Sequence, residues 1–138
     1  VFTWEVVKKY LEEDANNPNS SNDFGKNIIP AMLNGGEKLF AYPFEGYWKD
    51  VGTVDSLWDA NMDLLSDSPD LDLSDASWRI YSRNPNMPPQ YVAKSADIKR
   101  SIITEGCSVY GTVRNSVLFA GVEIEEGAIV EDSIINGN

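Results

Sequence analysis

The last third of the chain repeats itself. "RSII", "NSVL" and "DSII" begin at Arg100, Asn115 and Asp132, spaced by 15 and then 17 residues. Steps of six run inside them, from Ile103 to Val109 and from Leu118 through Ile124 to Val130. Gly106, Gly111, Gly121 and Gly127 punctuate the turns. Hexads of inward-pointing, largely β-branched residues predict a parallel β-helix, in which each coil buries its aliphatic row against its neighbours. A run of ordinary hairpins is the competing reading. About two and a half coils are expected, ending at "IINGN" in mid-pattern. A solenoid normally needs roughly three repeats and a cap, so the expectation is a fragment of a longer chain. Its open end would leave backbone groups unpaired and invite association.

The sequence before the repeat has a different texture. "FTWEVVKKYLEED" predicts a helix capped by Thr3, with Trp4, Val7 and Leu11 on one face and Glu5 in its first turn. "ANNPNSSN" is a loop by composition. "DFGKNIIPAMLNGG" predicts a short helix stopped by Gly35 and Gly36, with Pro30 kinking it or lying in a first turn. "EKLFAYPFEGYWKDVG" alternates about an "FEG" turn and predicts paired strands. "TVDSLWDANMDLL" then predicts a helix capped by Thr53, with Val54, Leu57, Trp58, Leu64 and Leu65 as its apolar stripe. The acidic, serine-rich "SDSPDLDLSDAS" and the irregular "WRIYSRNPNMPPQYV" mark a change of architecture. The domain reading is 1–66, a connector at 67–92, and the truncated β-helix at 93–138.

Composition narrows the chemistry. The formal charge of −11 repels phosphate backbones and anionic lipids, which argues against nucleic acid and membrane surfaces as partners. No apolar run approaches the roughly 18 to 20 residues of a membrane span, and no signal-peptide pattern opens the sequence. The single cysteine, Cys107, allows no disulfide within the chain and fits a reducing, cytoplasmic setting. There is no histidine. That excludes histidine acid–base catalysis, Ser-His and Cys-His pairs and histidine-ligated zinc within these residues.

Three stretches together resemble the bacterial glucose-1-phosphate adenylyltransferase family, the ADP-glucose pyrophosphorylases: "NDFGKNIIPAML", "GYWKDVGTVDSLWDANMDLL" and the hexads that follow. The Trp-x-Asp-x-Gly-Thr pattern alone is shared by sugar nucleotidyltransferases in general; the combination is more specific. The resemblance implies the C-terminal part of a Rossmann-like nucleotidyltransferase domain followed by the start of a left-handed parallel β-helix, α/β then all-β. It implies a homotetrameric enzyme of glycogen biosynthesis that joins ATP and glucose 1-phosphate into ADP-glucose and pyrophosphate with Mg2+. Base preference and the allosteric effector are not legible in these residues.

By the same resemblance, Asp50 corresponds to one of two aspartates that hold the catalytic metal. Asp23 and Phe24 line the glucose-phosphate side of the pocket, and Trp48 lies beside the sugar. The Gly-rich nucleotide loop, the second metal aspartate and the remaining sugar-phosphate contacts have no counterpart in the chain, so the fragment alone is expected to be inactive. Each residue also has a plainer role. Asp50 suits a strand-end acid beside a helix cap, Asp23 an N-cap, and Phe24 and Trp48 the core. Lys26 and Lys49 are the cations nearest these positions, and surface lysine is the plainer reading of both. Trp4, Trp58 and Trp78 are assigned to packing. Arg79, Arg83, Lys94, Lys99 and Arg100 are the basic residues an effector would meet. Three alternatives stand beside the transferase reading: a non-catalytic regulatory or assembly subunit, another sugar-1-phosphate nucleotidyltransferase, and a hexapeptide acyltransferase, whose usual histidine base is absent.

Overall fold

A computed structural model describes residues 1–137 of the chain. Two compact units form, Val1–Phe44 and Glu45–Asn138.

The first unit is helical. Helix α1, Trp4–Ala15, buries Val7 and Tyr10. Thr3 occupies the N-cap position in extended backbone, but its side chain makes no capping hydrogen bond. A single π-helical stretch, Phe24–Ile28, leads into α2, Ile29–Asn34. Pro30 lies in the first turn of α2, directly after the π-helical stretch. Gly36, at φ 79°, turns the chain out of the helix. Val7, Tyr10, Ile28 and Met32 make the small core, with Leu11 partly buried against it. Trp4, assigned to packing from sequence, is instead exposed.

The paired strands predicted across 37–52 do not form. That stretch has no regular secondary structure, and Phe40, Tyr42 and Phe44 are exposed. Alternation makes a segment fit for a sheet without supplying a partner edge, and a lone two-stranded hairpin is marginal in water.

In the second unit, α3 spans Val54–Asp63. Thr53 accepts from the Ser56 N–H while Ser56 Oγ accepts from the Thr53 N–H, a complete capping box. The predicted stripe is only partly used: Leu65, just beyond the helix, is buried, whereas Val54 and Leu57 are exposed. Trp78, in the irregular stretch that follows, is also exposed rather than packed.

Nine short strands then wind as a parallel β-helix: β1 Tyr91–Val92, β2 Asp97–Lys99, β3 Ile102–Ile103, β4 Ser108–Val109, β5 Thr112–Arg114, β6 Val117–Leu118, β7 Glu123–Ile124, β8 Ile129–Glu131 and β9 Ile134–Ile135. They stack in three parallel sheets, β1-β4-β7, β2-β5-β8 and β3-β6-β9. Three rungs are present in each sheet, rather than the two and a half expected. Paired registers align the inward rows: Val92, Val109 and Ile124; Ile98, Val113 and Val130; Ile103, Leu118 and Ile135. In the middle rung Val109, Val113 and Leu118 are wholly buried, because each is covered from both sides. Full burial of one such side chain is worth about 1.5–3 kcal/mol.

The recurring "xS[IV][IL]" element has a local cause. Arg100, Asn115 and Asp132 stack at one corner with φ of 47°, 44° and 46°. The next residue is serine each time. Ser101, Ser116 and Ser133 donate their hydroxyls to the carbonyls of Lys99, Arg114 and Glu131. Ser101 and Ser116 also accept the serine N–H of the following rung. Ser116 is therefore completely buried and satisfied.

The change of period lies at a different corner. From the first to the second sheet the chain takes six residues between Tyr91 and Asp97, four between Ser108 and Thr112, and six between Glu123 and Ile129. The shortened corner holds Gly111, whose Cα lies under the longer corner above it. A Cβ there would stand 2.5 Å from the carbonyl oxygens of both Glu125 and Ala128. Since backbone cannot step aside as a side chain can, Gly111→Ala is expected to destabilise the β-helix by about 1–3 kcal/mol. Urea titration should show the midpoint falling with little change in slope.

Candidate functional site

Exposure alternates along residues 47–50, with Tyr47 and Lys49 half-buried and Trp48 and Asp50 exposed. The Tyr47 hydroxyl donates to Asp63 Oδ2 at 3.1 Å, and Lys49 Nζ reaches the same oxygen at 2.6 Å. Trp48, 74% exposed, and Asp50, also exposed, are turned to solvent. The first pair fastens the segment to the last turn of α3, and three residues past Asp50 the Thr53 capping box fastens it to the first turn. Trp48 and Asp50 are thus presented outward from a segment held at both ends.

Electrostatics follows from that clasp. The hydrogen bond from Lys49 holds the Asp63 carboxyl below its ordinary range, with Tyr47 assisting and partial burial opposing. Lys49 is raised, chiefly by the same bond. Burial pushes the Tyr47 hydroxyl up, and the bond to Asp63 adds to it. Lys49 is therefore committed to Asp63 rather than free for a phosphate. Lys26 is exposed and makes no ion pair among the described residues.

Asp23 and Phe24 lie side by side in the first unit. Asp23 is the N-cap of the π stretch, its Oδ1 accepting from the Lys26 N–H at 2.8 Å. Phe24 is 46% exposed, with its ring 5.6 Å from that of Phe2 and tilted by 49°. Neither lines the apolar cavity of about 890 Å³ among Phe2, Val6, Met32, Leu33, Leu39 and Phe40. The four residues are thus brought together as two pairs, each within its own unit.

A magnesium ion wants six oxygens, commonly one or two of them from protein carboxylates. Asp50 offers one outward carboxylate. No group of three or more Asp, Glu, Cys or His is placed to hold a metal among the described residues. The chain alone therefore fits the ion as a single ligand and not as a complete site. Cys107, 1% exposed, donates its thiol to the Phe119 carbonyl and lines the β-helix core. No helix among the described residues is long and apolar enough to cross a membrane.

Asp63 and Tyr47 escaped the reading of the sequence. Their signal was present in the period-two pattern of "YWKD", which puts Tyr47 and Lys49 on one face. It could have been matched to an acid one helix later.

The nucleotidyl transferase family model matches residues 1–67, and a GlmU-like C-terminal hexapeptide model matches residues 88–138. With the stacked parallel rungs, these define a nucleotidyltransferase segment continued into a hexapeptide-repeat β-helix. A glucose-1-phosphate adenylyltransferase of Desulforamulus reducens is 60% identical over 138 residues, which is 100% of this chain and 35% of that protein. Those of Bacillus cereus and Bacillus anthracis are each 61% identical over 135 residues, 98% of this chain and 36% of theirs. Along its whole length the chain is similar to these glucose-1-phosphate adenylyltransferases, and it spans about a third of their length.

The clasp predicts a pH window. Asp63 has a folded value below its unfolded value near 3.9, so its contribution is complete above that pH and is lost as pH falls through the folded value. Lys49 is raised, so its contribution is complete below about 10.4 and is lost as pH rises through its folded value. Carboxyl 13C titration should find Asp63 below the ordinary aspartate value in the chain. In Lys49→Met the titration midpoint should move upward, since burial then acts with less opposition.

Proposed function

We propose that this sequence serves a glucose-1-phosphate adenylyltransferase, which joins ATP and glucose 1-phosphate into ADP-glucose and pyrophosphate for glycogen synthesis. The observation that carries the reading is the exposure of both Trp48 and Asp50 on a segment anchored to α3, in a chain similar throughout its length to proteins of that family. The enzyme would work as a homotetramer in the cytoplasm, with Mg2+ as cofactor. Since the chain covers only part of its relatives, it supplies part of the machinery.

Asp50 is the proposed metal ligand. Attack of the sugar phosphate on the α-phosphorus of ATP brings two polyanions together, and two unit charges 4 Å apart repel by about 4 kcal/mol at an effective dielectric near 20. Magnesium, when bound, offsets that repulsion and stabilises the charge developing in the transition state. Asp50 would hold one of its coordination positions, and donors from outside this chain would fill the rest. Trp48 offers an exposed ring whose face suits the C–H groups of a sugar. Asp23 and Phe24 are the proposed glucose-phosphate contacts. For Asp23 that role would come in addition to capping, since only one of its oxygens is committed to the Lys26 N–H.

The test fuses this chain to the remainder of the Bacillus cereus relative and measures pyrophosphate release from ATP plus glucose 1-phosphate with magnesium. Activity is expected, and Asp50→Asn should lower kcat by about 100-fold or more while the circular dichroism spectrum is unchanged. A fusion that is inactive with every nucleoside triphosphate would favour a regulatory subunit. An active fusion indifferent to Asp50→Asn would make that residue a segment-end acid.

A further inference from the structure

The row of left-handed corners on the β-helix carries more than the serine ladder. Two of its three residues make hydrogen bonds that leave the β-helix, and both go to α3 or its immediate continuation. The Trp58 indole N–H donates to the Asp132 carbonyl at 2.8 Å. At the other end, Arg100 Nε donates to the Leu65 carbonyl at 3.1 Å. Arg100 and Asp132 are stacked two rungs apart, with Asn115 between them.

The dimensions agree. Two rungs of a parallel stack span about 9.5 Å. From Trp58 to Leu65 is seven residues, about 10.5 Å at the helical rise. The stretch from the middle of α3 to two residues past its end therefore meets the corner row at two points two rungs apart, in the opposite order to the rungs. Leu65 is buried at one contact, and Trp58 is the most covered of the four tryptophans at 39% exposure. The helix in turn holds the Trp48–Asp50 segment at both ends, through Asp63 and through the Thr53 capping box.

We propose that Trp58 and Arg100 are positioning residues that fix α3, and with it the Trp48–Asp50 segment, to the β-helix at two corners two rungs apart. Their importance to catalysis rests on the transferase reading of Asp50; the attachment itself does not. The β-helix would then be the platform from which Asp50 is presented, and disturbing its corner row would displace that carboxylate without unwinding the coils.

The test is amide hydrogen exchange on the 138-residue chain, read by mass spectrometry. Trp58→Phe keeps an aromatic ring and removes the donor, and Arg100→Met keeps the stem and removes the guanidinium. A hydrogen bond is worth roughly 1 kcal/mol net, so each variant should speed exchange in residues 54–65 roughly fivefold, and the double variant further. Exchange at Val109, Val113 and Leu118 should stay as it was. A nitroxide pair at Asp50→Cys and Glu123→Cys reports the placement directly, since buried Cys107 escapes labelling. The distance distribution should be narrow in the otherwise unaltered chain and clearly broader with Trp58→Phe. Unchanged exchange in the helix, unchanged breadth, or equal acceleration throughout the β-helix would each overturn the proposal. None of these readouts requires turnover, so an active fusion indifferent to Asp50→Asn would sink the metal-ligand reading of Asp50 and leave this attachment standing or fallen on its own evidence.

Discussion

Everything in the second unit depends on the rungs closing in register, so that each aliphatic row covers the next. The backbone bonds that achieve this, such as Tyr91 N–H to the Cys107 carbonyl and Val117 N–H to the Ser133 carbonyl, run between coils rather than within them. A strand of two residues has no independent stability, and it persists because it is one step in a stack. The corners do the indexing. A left-handed residue followed by serine turns the chain by a fixed amount and bonds it to the rung alongside, which is why the sequence repeats serine there more faithfully than any aliphatic residue.

That stack gives the rest of the unit something to attach to. Residues 45–53 have no sheet of their own, yet they are anchored, because Tyr47 and Lys49 are drawn to a single carboxylate on the following helix. The charge on Asp63 orders a segment that its hydrophobic pattern left without a partner. Local electrostatics here performs a task that sheet pairing would otherwise perform, and it does so within the pH range where one partner is anionic and the other cationic.

The legibility of this fold in the sequence varies with how local its causes are. Hexads and corner glycines depend on contacts that recur at fixed spacing, so the β-helix could be read directly, as could the Thr53 cap. The strands predicted across 37–52 could not be tested by pattern alone, because alternation specifies faces but not a partner. The tryptophans misled for a related reason: Trp4 and Trp78 have core-like chemistry, but burial depends on what the remainder of the fold brings against them. Asp23 was legible as a cap because its partner is three residues away. The second role proposed for it, and the role proposed for Asp50, would turn on groups beyond these residues, and the family resemblance rather than local physics pointed to them.

The four-residue corner at Gly111 has a consequence for how the coils find one another. Near-identical rungs face a degeneracy problem: a coil displaced by one full turn would meet almost the same aliphatic rows and lose little burial. The short corner breaks that translational symmetry, because the longer loop above it, through Glu125 and Ala128, rests on the Gly111 backbone too closely for a side chain there. Arg114, bonded to Asp97 below and Glu131 above, adds a charge pattern that is not the same one step along. The irregularity that obscures the repeat in the sequence thus distinguishes the native stacking from its nearest mispaired copies.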